Sequence, residues 1–203
     1  MASSWPSGNP NIRINDVIVL SDNWYTLRRV DFDQRMPDGS WTSQQREAYD
    51  RGNGAVILLV DWAREAVILT RQFRAPAYLN GSRDGMLIEA PAGLLDDDDP
   101  ATAIRREAEE ETGIRVGEIE QLFDLYMSPG SVTERVVFFA AEYVAADRVT
   151  AGGGVEAEGE AIEVLEFTLD DALEHVATGR INDGKTVILL QWAAAERRRR
   201  APD

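Results

Sequence analysis

The sequence predicts an α/β domain preceded by an N-terminal piece rich in β-hairpins, and three observations carry that prediction. Residues 55–60 are continuously apolar, as a strand buried on both faces requires. Residues 100–112 are bounded by helix start and stop signals. The first fifty residues hold short alternating stretches around a Pro-Asp-Gly turn.

The chain has 203 residues, enough for one domain with a sizeable core, and 44% of them are hydrophobic. The net charge of −15 argues against nucleic acid or an anionic membrane as partner. It fits an anionic substrate only where cations bridge the two. There is no cysteine, which removes disulfides and thiolate metal ligands and suits a cytoplasmic protein. No apolar run approaches the roughly 20 residues of a membrane span, and the N-terminus lacks a signal-peptide pattern. Residues 1–14 read as a flexible lead-in.

In order, residues 16–20 and 24–32 predict strands, Met36-Pro37-Asp38-Gly39 a turn, and residues 41–49 a return strand. Asp50-Arg51-Gly52-Asn53-Gly54 breaks the pattern and marks a subdomain junction. Strands follow at 55–60 and 66–73, with Trp62 as a packing residue in the turn between them. Arg71 and Arg74 end the second of these; they serve either surface ion pairs or a phosphate. Residues 75–84 read as an irregular loop and 86–90 as a strand, with Glu89 just before Pro91-Ala92-Gly93, a tight turn. Strands are predicted at 119–126, 136–143 and 162–167, with Ser128-Pro129-Gly130-Ser131 forming a loop of the kind found at active sites. Gly152-Gly153-Gly154 marks a hinge or a disordered stretch. Thr168-Leu169-Asp170-Asp171 is an Asp variant of a capping box for a helix ending near Gly179. Asp183-Gly184-Lys185-Thr186 opens a last helix whose Arg197 to Arg200 form a solvated, dipole-favoured end. His175, the only histidine, reads as surface or half-buried and structural; no zinc site or His dyad can be built from it.

The most informative stretch is 105–113, where Glu107, Glu109, Glu110 and Glu111 put four carboxylates in five positions. At about 3.6 residues per turn, Glu107, Glu110 and Glu111 share one helix face. Like charges at that spacing repel. Either the face is solvated, or a divalent cation compensates it, and oxygen-only ligands suit Mg²⁺ or Mn²⁺. Asp99 is the expected N-cap, Pro100 the first helical residue, and Gly113 the left-handed C-terminal cap. Arg106, four residues before Glu110, is placed to pair with it.

Residues 93–114 resemble the Nudix box, G-x5-E-x7-R-E-U-x-E-E-x-G-U, with Arg106-Glu107, Glu110-Glu111 and Gly113-Ile114 in register. The stretch from Gly93 to Arg106 is one residue short, Asp98 or Asp99 stands for the first Glu, and Ala108 is smaller than the usual apolar residue. The likeness extends over roughly residues 15–192. It includes 21–27, 49–54, Arg71-Gln72-Phe73-Arg74, 125–130, Gly152-Gly153-Gly154-Val155-Glu156 and Asp183-Gly184-Lys185-Thr186. Together these resemble the GDP-mannose hydrolase branch of the Nudix superfamily, close to the ADP-ribose pyrophosphatases.

That resemblance implies a Nudix α/β/α sandwich with a mixed sheet, an N-terminal β subdomain over 15–50 that forms a dimer by exchange, and a hydrolase domain over 51–203. It implies Mg²⁺-dependent cleavage of a nucleoside diphosphate sugar, with Mn²⁺ as a substitute. GDP-mannose would give GMP and mannose 1-phosphate. Metal would be held by the Ala92 carbonyl, Glu107, Glu111 and a loop glutamate, Glu160, with Glu158 and Glu156 open. Glu110 orients a ligand or acts as base, and Glu111, Glu160 and Glu158 complete the catalytic set. Substrate contacts would fall on Trp24, Arg46, Glu47, Arg74, Glu134 and Lys185. Trp24 either stacks on guanine or packs in the core. The alternatives are the same chemistry on ADP-ribose, and a non-catalytic sensor that binds a sugar nucleotide.

Overall fold

The computed structural model describes residues 8–95, 98–155, 157, 159 and 161–201. It divides into two compact units, Met1–Asn53 with Tyr126–Arg135, and Gly54–Leu125 with Val136–Asp203. The first unit therefore takes in a mid-chain segment that sequence reading leaves with the following domain.

In the first unit, β1 (Ile12–Asp22), β2 (Thr26–Arg35) and β3 (Trp41–Asp50) form an antiparallel sheet in that order. β1 starts at Ile12 rather than at residue 16, because polar residues outside the apolar stretch still pair with β2, from Ile12 opposite Gln34 onward. The β2–β3 turn forms as the Pro-Asp-Gly sequence requires: Gly39 has φ +88°, and the Asp38 carboxylate accepts from the Ser40 amide at 2.9 Å. Residues 128–133 add to the β3 edge, where Tyr49 N donates to Ser131 O and Thr133 N to Tyr49 O. Trp24 is not on a strand. It stands in the β1–β2 loop, 86% exposed, edge-on to Tyr25.

In the second unit the described strands are β4 (Gly54–Asp61), β5 (Ala66–Phe73), β6 (Met86–Glu89), β7 (Ala92–Leu94), β8 (Glu120–Tyr126), β9 (Arg135–Glu142) and β10 (Glu163–Thr168). They form one mixed sheet, order β10-β5-β4-β9-β8, with β6 on β5 and β7 on β4. β4 and β9 run parallel; the other recorded strand registers here are antiparallel. Every residue of β4 is buried. Its odd positions Ala55, Ile57 and Leu59 meet Ile104 and Ala108 of α2 (Pro100–Thr112). Its even positions Val56, Leu58 and Val60 point to the other face and are equally buried. There α4 (Gly184–Arg200) packs on β4, and α3 (Leu169–Ala177) packs on α4, β10 and β5.

Several local expectations are corrected. Residues 75–84 are not wholly irregular: Ala75–Leu79 form a short exposed helix, α1, started by Pro76. Pro91-Ala92-Gly93 is not a tight turn, since Ala92–Leu94 is strand β7. The arginine end of α4 is not merely solvated. Arg197 pairs with Asp170 at 2.8 Å and Glu65 at 3.1 Å, while Arg200 reaches Glu142 at 2.7 Å and covers the Trp62 ring. His175 is half-buried against Phe167, with Nδ1 2.8 Å from the Asp171 carbonyl oxygen. Among the described residues, no helix is long and apolar enough to cross a membrane.

Candidate active site

Helix α2 is fixed at both ends by its own sequence. Asp99 accepts from the Ala101 and Thr102 amides, Pro100 follows, and Gly113 closes the helix at φ +74°. Ile104 and Ala108 turn inward onto the sheet, which leaves Glu107 and Glu111, one turn apart, beside it. Glu111 is only 2% exposed, and the Glu107 side chain 17%. Glu107 lies directly on Gly93. A Cβ built there would come 2.3 Å from the Glu107 carboxyl carbon. The glycine is thus required by close approach, since its φ is not positive. It brings the Glu107 carboxylate against the strand that carries Ala92.

Arg106 does not pair with Glu110. Its Nη1 donates to Asp98, and Nη2 lies 3.6 Å from Glu107. The Asp98 hydrogen bond holds the Arg106 guanidinium pKa above its usual value. Asp99 is engaged as the N-cap, so of the two aspartates Asp98 is the partner of the box arginine. Glu109 pairs with Arg115 at 2.8 Å, which lowers its pKa. Glu110 is half-buried and lines a cleft of about 670 Å³ with Arg106, Glu109, Gly152 and Gly154.

The triple glycine, expected as a hinge or a disordered stretch, forms a defined turn on the end of α2. Gly152, Gly153 and Gly154 all have positive φ. Their segment caps α2: Gly153 N donates to Glu111 O at 2.9 Å, Gly154 N to Glu110 O at 3.1 Å, Val149 N to Gly113 O at 2.8 Å, and the Arg148 guanidinium to Thr112 O at 2.9 Å. Carbonyls that a helix end leaves without partners are satisfied in this way.

A second polar cluster joins Arg74, at the end of β5, to Lys185, in the first turn of α4. Arg74 Nε donates to Glu89 Oε2 at 2.7 Å, and Lys185 Nζ lies 3.6 Å from Glu89 Oε1. Lys185 also meets Asp183 at 2.7 Å. Asp183 caps α4 by accepting from the amide and hydroxyl of Thr186. Burial pushes the Asp183 carboxyl pKa up, but Lys185 and the Thr186 bonds outweigh it and leave it low. Arg71 pairs instead with Glu163 and Asp84.

In the first unit, Arg46 and Glu47 line a cleft of about 660 Å³ together with Ile14, Phe32, Tyr126 and Pro129. Glu134 sits near Arg51, with Nε to Oε1 3.5 Å.

Glu107 and Glu111 thus stand one turn apart on α2, with Gly93 seating Glu107 beside Ala92; Glu110 turns toward the neighbouring cleft. The structure gathers Arg74 with Lys185. Glu156, Glu158 and Glu160 lie outside the described residues. Among the described residues, no three acidic side chains converge closely enough to hold a metal ion. The oxygen donors Glu107, Glu111 and the Ala92 carbonyl nonetheless fit a hard divalent cation in chemistry, and Gly93 provides a cradle that a Cβ would fill. The role of Glu89 is not legible in the sequence. Its one signal was a lone carboxylate ending the apolar strand Met86-Leu87-Ile88.

Residues 50–191 match the model of the NUDIX domain, and the chain belongs to the Nudix hydrolase family. Residues 11–49 match the GDP-mannose pyrophosphatase NudK N-terminal domain. A GDP-mannose pyrophosphatase of Klebsiella pneumoniae subsp. pneumoniae is 54% identical over 182 residues, 90% of this chain and 91% of its own. One from Salmonella typhimurium is 53% identical over 174 residues, 86% of this chain and 90% of its own. The fold is also that of a crystal structure described as an ADP compounds hydrolase, with a TM-score of 0.69, 18% identity, and coverage of 92% and 93% of the two chains.

Proposed function

We propose that this protein hydrolyses the diphosphate of GDP-mannose to GMP and mannose 1-phosphate, with Mg²⁺ as cofactor and Mn²⁺ as a substitute. The substrate assignment is carried by the relatives of that name, which are 53–54% identical over 86–90% of the chain. The reaction class is supported by the buried Glu111 and the Glu107 carboxylate seated on Gly93.

Glu107, Glu111 and the Ala92 carbonyl would hold the cation, with Glu160 as the proposed loop ligand and Glu158 or Glu156 in its stead. Bound there, Mg²⁺ supplies charge neutralisation on the diphosphate and acidifies water. Water adds to one phosphorus, the bridging P–O bond breaks, and the proton of the attacking water passes to a carboxylate. Glu110, or a glutamate of the 156–160 segment, is the proposed acceptor. Arg74 and Lys185 bind the phosphates. In the first unit, Trp24 presents an exposed ring suited to stacking on guanine. Arg46, Glu47 and Glu134 are the proposed further substrate contacts.

The protein acts as a cytoplasmic homodimer with exchanged N-terminal pieces in this reading. The dimer is supported by the N-terminal sheet, Ile12 to Asp50, where Val19 is 54% and Leu20 45% exposed. Light scattering after size exclusion tests it: a dimer mass is expected, and a monomer overturns it.

The deciding experiment is product release with Mg²⁺ on GDP-mannose, GDP-glucose, ADP-ribose and ADP-glucose. Preference for GDP-mannose is expected. Preference for ADP-ribose discards the substrate and keeps the mechanism. Tight binding without turnover overturns the hydrolase.

A further inference from the structure

We infer that Glu89 is a positioning residue that sets Arg74 and Lys185 in place for the substrate's diphosphate. The inference rests on the proposed function, in which those two cations take the phosphates. Glu89 is 3% exposed and ends β6, three residues before Ala92. Its two carboxylate oxygens serve two cations from different elements. Oε2 accepts from Arg74 Nε at 2.7 Å, and Oε1 faces Lys185 Nζ at 3.6 Å. A buried carboxylate is strongly disfavoured unless paired, so these cations are held where Glu89 is. With both oxygens taken, Glu89 is committed to the cations.

The surroundings fix Glu89 in turn. Its carbonyl accepts from the Thr70 hydroxyl at 3.2 Å, and the next amide, Ala90 N, donates to Thr186 Oγ1 at 2.7 Å. That second bond fastens the start of α4, and with it Lys185, to the strand end. Arg74 is anchored through its backbone as well, its amide donating to Gly85 O at 2.8 Å.

The manner in which Arg74 is held carries the functional step. Among the described residues its guanidinium donates a hydrogen bond through Nε, to Glu89, and Nη1 and Nη2 form a fork for an incoming anion. Arg74 is 39% exposed at its side chain and Lys185 22%, against 4% for Glu89. The carboxylate lies deep, and the cations it orders reach outward. Such pre-ordering spares the substrate the cost of immobilising two long side chains.

The test is a mutant cycle of Glu89→Gln, Arg74→Met and the double variant. It reads kcat and KM on the wild-type substrate at saturating Mg²⁺. Equilibrium Mn²⁺ binding by electron paramagnetic resonance and thermal unfolding are read beside it. Glu89→Gln is expected to raise KM by roughly 10- to 100-fold, with Mn²⁺ affinity unchanged. The double variant is expected to lose less than the product of the two single losses, because Glu89 acts partly through the arginine and partly through Lys185. An unchanged KM in folded Glu89→Gln overturns the inference, as do losses that multiply in the double variant. Weakened Mn²⁺ binding overturns it too, by making Glu89 part of the metal site. Should Glu89→Gln fail to fold, Glu89→Asp carries the test: it keeps the charge but draws the carboxylate back from Arg74 and Lys185. A raised KM at unchanged melting temperature then supports the inference, and an unchanged KM overturns it. Wild-type protein that turns over no sugar nucleotide is a failure of the proposed function instead.

Discussion

Glu111 illustrates how one side chain is given its chemistry by position. It lies on the same helix face as Glu107, is 2% exposed, and belongs to a helix turn whose carbonyls are capped from outside the helix. Glu111→Gln preserves size and removes the charge a cation needs. Hydrolysis is expected to fall by more than about 100-fold, beyond the 10–100-fold typical of residues that only support a metal ligand. The fold should persist, as read by circular dichroism and melting temperature. Undiminished turnover sinks the assignment. The carboxylates and their helical spacing are legible in the sequence. The reason for Gly93 is not, because the close contact with Glu107 joins residues from different elements. For a similar reason, the partner of Arg106 differs from the one helical spacing offers. Helical spacing offers Glu110, but the incoming loop brings Asp98 nearer.

At the scale of elements, the segment from Arg148 to Gly154 is the clearest case. Sequence reading saw three flexible residues; the chain uses their left-handed conformations to lay backbone amides on the end of α2. A Cβ at Gly152, φ +70°, would meet Glu111 O at 2.5 Å. Gly152→Ala is therefore expected to destabilise by roughly 1–3 kcal/mol in a denaturant titration and to lower activity. Gly117→Ala, with open space around its Cβ position, should do neither. A second tie between elements predicts the response to acid. Arg64, in the turn after β4, meets Asp61 at 2.6 Å and Glu166 of β10 at 2.7 Å, and the Tyr143 hydroxyl donates to Glu166. The Arg64 hydrogen bonds hold both carboxyl pKa values below their ordinary range. Groups depressed on folding stabilise fully above their unfolded values, about 3.9 for Asp and 4.3 for Glu. That stabilisation is lost as pH falls through the lower, folded values. Melting temperature should thus hold steady above about pH 5 and drop below pH 4. Arg64→Met should flatten that drop and lower stability at neutral pH.

At the scale of the whole molecule, a chain of net charge −15 is asked to take an anionic substrate. Long-range repulsion slows such an encounter, and salt screens it. At saturating Mg²⁺, raising monovalent salt from roughly 20 to 200 mM should raise kcat/KM or leave it flat, and a steep fall would contradict the argument. EDTA should abolish turnover and Mg²⁺ restore it.

The division between what was legible and what was not follows from range. Sequence alone determined the strands at 55–60 and 136–143, the caps of α2, the carboxylate face, the turn at Gly39 and the opening of α4 at Asp183. Each is written in apolar pattern, turn chemistry or helix spacing within a few residues. Tertiary structure alone decided the inclusion of 126–135 in the first unit and the exposure of Trp24. It also decided the use of Gly152 to Gly154 as a cap and the gathering of Arg74 and Lys185 on Glu89. Those facts rest on contacts or solvent access set by residues far apart in the chain. Local propensity carries no record of a partner that only folding brings near.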